Sequence, residues 1–201
     1  MIAVIRSEIY RFRTVRSWWL SLIAAAAATA AMGYYGDAAW AGLVGMVTFL
    51  SGVVAAGQHF QHRTAVLMFL ARPRRVAVLA GQALTYATAA GAFAAVTGIP
   101  VLLTGHPDEY LLTVVAAPAM AVFAVANAAI LRRPIWIIAG YGVWFAAVEG
   151  VAGRLSLPGP FSGYLRGTAQ TDLGMLAAFA CWAVVAAAAA TWALRRDVTG
   201  D

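Results

Sequence analysis

The chain has 201 residues, of which 63% are hydrophobic and only 11% charged, whereas soluble domains run near half apolar and a quarter charged. The net charge of +6 rests on 14 basic residues, all arginine, and the single cysteine, Cys181, excludes an intrachain disulfide and cysteine-cluster metal sites. Six spans of about 20 residues would take roughly 120, and the remainder, split over two termini and five connections, is too small for a separate soluble catalytic domain.

The sequence therefore predicts an all-α polytopic membrane protein, one domain over residues 1–201, and its elements follow in chain order. Residues 1–16 place Ile2, Ile5, Ile9 and Phe12 at helical spacing, with Arg6, Glu8 and Arg13 off that stripe, which predicts an amphipathic interfacial helix. The same stretch imitates a signal peptide, but a cleaved leader needs no such stripe, and it is expected to be retained. Apolar runs predict spans at about 17–36 and 39–57. The inner connection, 58–80, is too long for a turn: Thr64 is placed to cap a short apolar helix through Val66, Leu67, Phe69 and Leu70, which Pro73 ends. That helix either lies in the membrane interface or docks in a groove on a partner.

Further spans are predicted at about 81–103, 111–131, 135–152 and 173–194. The fourth and fifth are joined only by Arg132-Arg133-Pro134, so they must be antiparallel neighbours. The outer connection, 153–172, mixes apolar residues with Pro158, Gly159 and Pro160. It reads either as a loop dipping to membrane depth under protein cover or as a surface loop packed on the helix ends. A cytoplasmic N-terminus places twelve arginines inside and only Arg154 and Arg166 outside, with Asp37, Asp108, Glu109, Glu149 and Asp172 outside. Both termini are then cytoplasmic.

This organisation resembles the membrane subunit of a type-2 ATP-binding-cassette (ABC) exporter across essentially the whole chain. That family has an N-terminal elbow helix, six spans, a cytoplasmic coupling helix between the second and third, and a partly re-entrant outer loop between the fifth and sixth. Thr64, Leu67, Leu70, Pro73 and Arg75 fit its coupling pattern, and the opening Ser7 to Thr14, with Arg6, Glu8, Arg11 and Arg13 in or beside it, is similar to its elbow. His59, Arg63 and Gln82 depart from residues common there. The resemblance implies ATPase coupling through Val66, Leu67, Phe69 and Leu70, with Arg72 and Arg74 facing acids on the motor. It also implies a second permease copy, in a homodimer or heterodimer, and export across a bacterial inner membrane.

The chain has no lysine and hence no Gly-x-x-x-x-Gly-Lys-Ser/Thr loop, so ATP and Mg are expected on a separate ATPase and no cofactor on this chain. His59, His62 and His106 fall on opposite sides without a completing carboxylate, and no Gly-x-Ser-x-Gly elbow occurs; no enzyme is expected. A pI near 10.1 reflects membrane sidedness here and not nucleic acid. Polar groups within spans are functional candidates: Glu149, read as a snorkelling or Arg154-paired carboxylate, or as an extracellular gate or a contact for a cationic substrate, and Asn127, read as an interhelical hydrogen bonder or substrate contact. Tyr141 and Phe161 complete the candidate pathway or gate. Trp18, Trp19, Trp40, Trp136 and Tyr110 read as interface anchors. Sparse polarity along the spans favours a hydrophobic or amphiphilic cargo: a drug, antibiotic, peptide or lipid-linked molecule. A noncatalytic membrane immunity or assembly protein without an ATPase is the alternative.

Overall fold

Alanine-rich apolar runs become helices because alanine loses least on helix formation and a chain in hydrocarbon must satisfy its backbone hydrogen bonds internally. The computed structural model describes residues 16–61, 75–149 and 158–196; the expected elbow residues Arg6, Glu8, Arg11 and Arg13 and the expected coupling residues Thr64, Val66, Leu67, Phe69, Leu70, Arg72, Pro73 and Arg74 lie outside them. The described residues form α1 (Arg16–Tyr35), α2 (Asp37–Gln61), α3 (Arg75–Thr97), α4 (Ile99–Leu103), α5 (Pro107–Leu131), α6 (Pro134–Val143), a π-helical turn (Trp144–Glu149), α7 (Pro160–Ala169) and α8 (Leu173–Arg196). Four of these, α2, α3, α5 and α8, are long and apolar enough to cross a membrane, while Trp19–Tyr35 and Pro134–Glu149 are shorter apolar helices. The described residues are thus all-helical, those of a polytopic membrane protein.

Three helix ends differ from the apolar runs. α2 continues through Gln58 and His59 to Gln61, α3 starts at Arg75 and α5 at Pro107. Hydropathy marks where a helix meets lipid, whereas helicity continues through polar residues of good propensity. The stretch between these two helices is therefore shorter than 58–80. The third run, 81–103, is divided: α3 gives way to α4 at Gly98, whose N–H still reaches the Ala94 carbonyl at 2.9 Å, and Pro100 follows within α4.

The core is centred on α5, which packs against α3, α2 and α8. Its interior proline, Pro118, cannot donate to the helix ladder, and it packs beside Gly91 of α3, where a Cβ would make ordinary contact at 3.4 Å with Pro118 Cγ. Glycines bring the helices close elsewhere too: Gly52 faces Ala124, and a Cβ there would lie 2.8 Å from that methyl.

Charge separates along the bundle. The end where Gly57 meets Pro134 carries Arg75, Arg132, Arg133, Arg195 and Arg196, and the opposite end carries Asp37, Asp108, Glu109 and Asp172, with Arg166 beside them. At that acidic end Trp40 is not an interface anchor: it is 0% exposed, stacks on Tyr110 at 6.1 Å and donates its indole N–H to Thr97 Oγ1 at 3.3 Å. The Gly98 break admits it, since a side chain there would run into both rings. Trp136, by contrast, is 68% exposed, as an anchor in lipid would be.

Candidate functional site

The turn Leu131 to Pro134 folds α6 back along α5, so residues at similar distances from it come level. Arg132 caps α5 in the left-handed region (φ 56°), and Pro134, without an N–H to leave unpaired, opens α6. Asn127 and Tyr141 meet in this way: the Tyr141 hydroxyl donates to Asn127 Oδ1 at 2.8 Å, and Asn127 Nδ2 donates to the Phe123 carbonyl at 2.8 Å. Asn127 thereby links α5 to α6 through its side chain. Tyr141 sits among rings, edge-on to Phe49 at 5.2 Å, Phe123 at 5.6 Å and Phe161 at 5.6 Å.

Beyond Val143 the helix widens into the π turn that ends at Glu149. A π turn inserts a residue into the helical phase, and such turns often lie at functional sites. Glu149 is 7% exposed, so it does not snorkel to water; Arg154, its other expected partner, lies outside the described residues. Its carboxylate instead accepts from the N–H groups at the start of α7. Phe161 N–H donates to Oε1 at 3.3 Å, Ser162 N–H donates to Oε2, and Trp144 Nε1–H donates to Oε1 at 2.9 Å. A helix N-terminus presents unpaired N–H groups and the positive end of its dipole, which suits a buried anion. Gly159 is required beside it, because a Cβ would lie 2.6 Å from Oε1.

The described part of the outer connection is therefore a buried helix and not a loop resting on the helix ends. Pro160 starts α7 and Ser162 Oγ accepts the Gly159 N–H at 3.0 Å. The helix runs along the first half of α2: Leu165 meets Gly42, Tyr164 meets Gly45, and Phe161 lies edge-on to Phe49 at 5.2 Å. Phe49 is the central residue of α2, which puts Glu149 and the start of α7 midway down the bundle. On its other side, Gly163 and Gly167 face α8. A Cβ on Gly163 would lie 3.1 Å from the Met175 carbonyl, and one on Gly167 would lie 2.8 Å from the Leu176 backbone. This is the small-xxx-small spacing that lets membrane helices approach closely.

Asn127, Tyr141, Phe161 and Glu149 thus form one continuous chain of contacts. Sequence reasoning missed Ser162, Gly159, the Gly163/Gly167 pair and Trp182, whose indole N–H donates to the Pro158 carbonyl at 3.1 Å. A proline at a helix start followed by Ser162, and the Gly-x-x-x-Gly spacing, were signals for the helix and its packing. Nothing local signalled Trp182.

Among the described residues, two cavities adjoin the core. One, about 490 Å³, lies between α1, α2, α3 and α5 and is walled by apolar side chains such as Leu22, Val47 and Phe93. The other, about 270 Å³, is an open groove beside α6 lined by Trp136, Tyr141, Trp144, Pro160 and Trp182. Among the described residues no three His, Cys, Asp or Glu side chains come together as a metal site. Tyr141→Phe removes one partly buried hydrogen bond and should cost about 1 kcal/mol, read as a modest fall in Tm in detergent with helicity unchanged; an unaltered Tm would show that the Asn127 contact does not contribute. In comparisons with protein-family models, curated proteins and solved structures, the chain matches none.

Proposed function

We propose that this chain is the permease subunit of a type-2 ABC exporter, moving a hydrophobic or amphiphilic cargo with ATP and Mg held by a separate cytoplasmic ATPase. The observation that carries this reading is the pair α2 and α3, both of which run past their apolar stretches at the arginine end, to Gln61 and from Arg75. Between them residues 62–74 supply Thr64, Val66, Leu67, Phe69, Leu70, Arg72, Pro73 and Arg74, an apolar helix pattern flanked by arginines. Such a segment docks into a motor's groove and transmits its rigid-body closure to the spans.

Supporting it, the buried helix α7 lies between the fifth and sixth apolar helices, where the family has its re-entrant element. In this reading α1 and α6 with its π turn complete six spans. The arginine end is cytoplasmic by the positive-inside rule, both termini lie there, residues 1–16 are the elbow, and two copies assemble in a bacterial inner membrane. Asn127, Tyr141, Phe161 and Glu149 belong to the gate that motor closure moves.

The test is co-purification with the cognate ATPase. The native chain should retain the ATPase, and a Leu67→Asp, Phe69→Asp variant should lose it while keeping its helicity and Tm. Undiminished assembly and ATPase stimulation by the variant would defeat the coupling assignment. A native chain that is functional without any ATPase would replace the reading with that of an immunity or assembly protein.

A further inference from the structure

Glu149 is an acidic side chain in the middle of an apolar bundle, and no arginine or histidine among the described residues pairs with it. Its three hydrogen bonds are to N–H donors, which satisfy the oxygens without cancelling a full charge. One of those donors, Trp144 Nε1–H, belongs to the wall of the 270 Å³ groove. A second wall indole, Trp182, donates its N–H to the Pro158 carbonyl. Both rings are held by their polar edges, and what lines the groove is mainly carbon. An indole that donates to an anion gains electron density in its ring, and the negative face of an aromatic ring attracts cations. The carboxylate behind Trp144 adds attraction of the same sign, little screened because it is buried.

We propose that this groove binds an amphiphilic organic cation, with the cationic centre beside Trp144 and Trp182 and the apolar part along Ile137 towards Leu131. Inorganic cations do not fit: they demand several oxygen ligands, and the oxygens of Glu149 are already engaged. The charged centre belongs at the Trp144 end because Arg132 and Arg133 lie at the other. A neutral hydrophobe would find the same apolar walls but would gain nothing from the buried charge. The site is a property of this chain alone and does not require the ATPase reading.

The experiment measures equilibrium binding to the purified chain in detergent, with no ATPase present, of benzyldimethyloctylammonium and of its uncharged carbon isostere. The cation should bind roughly tenfold tighter than the isostere and quench tryptophan fluorescence. Glu149→Gln, which keeps an acceptor oxygen, should remove most of that preference, read as the ratio of cation to isostere affinity in the same variant. Trp182→Leu should weaken the cation more than the isostere, and it carries the test if the Glu149 variant does not fold. Equal binding of the two ligands to the native chain, or a preference that survives both substitutions, would overturn the proposal and leave a groove filled by any lipid chain.

Discussion

Glu149→Ala should lower stability by about 3 kcal/mol or more, which for a chain of this size is a fall in Tm of about 10 °C. The substitution leaves three donors without an acceptor: the N–H groups of Phe161 and Ser162 and the indole of Trp144. Each unsatisfied buried donor costs about 1–3 kcal/mol; these three are partly buried and lie at the lower end, and α7 also loses the negative charge at its positive end. Since Gly159 is fitted closely around the carboxyl group, the truncation opens a void as well. Glu149→Gln keeps one acceptor oxygen and should cost about 1–2 kcal/mol. Thermal unfolding in detergent, followed by circular dichroism, separates the two variants. An alanine variant as stable as the native chain would show that the start of α7 does not depend on this carboxylate.

Gly167→Leu has a comparable expected effect for a steric reason. The nearest atoms to a Cβ at that position are the backbone and Cβ of Leu176, all at 2.8 Å, so relief requires moving α7 away from α8 and not merely rotating a side chain. Overpacking of this kind costs about 1–3 kcal/mol and occasionally more, and a leucine lies at the upper end. The control is Gly142→Ala, where a Cβ meets nothing within 4 Å and helix propensity should give up to about 1 kcal/mol in the opposite direction. Equal stability of the Gly167→Leu variant and the native chain would mean that α7 and α8 are not closely apposed.

The helices themselves were legible, because apolar runs bounded by arginine, proline and glycine leave few alternatives in hydrocarbon. Helix ends at Gln61, Arg75 and Pro107 were not, since a helix that leaves the membrane keeps its hydrogen bonds while losing its hydropathy signal. Trp40 and Trp136 show a second limit. Both lie near the end of an apolar run, yet one is buried under Gly98 and the other faces outward; sequence position does not say whether lipid or a neighbouring helix meets a ring. Asn127 with Tyr141 was readable in principle, because the short turn at Arg132-Arg133-Pro134 brings residues on either side level. The partners of Glu149 were not. Two of the three, Phe161 and Ser162, lie twelve and thirteen residues away across a connection, while Trp144 is five residues away and comes within reach through the π turn, which changes the direction in which a regular helix would have pointed the carboxylate.

The midway position of Glu149 has an electrical consequence. Moving one elementary charge across the full membrane potential is worth about 2.3 kcal/mol per 100 mV, so carrying this carboxylate half the thickness is worth about 1 kcal/mol per 100 mV. With the arginine end cytoplasmic, as proposed, an inside-negative voltage pulls the carboxylate outward. Any transition that frees it from the start of α7 and lifts it to the acidic end would then be helped by an energised membrane and hindered when the potential collapses.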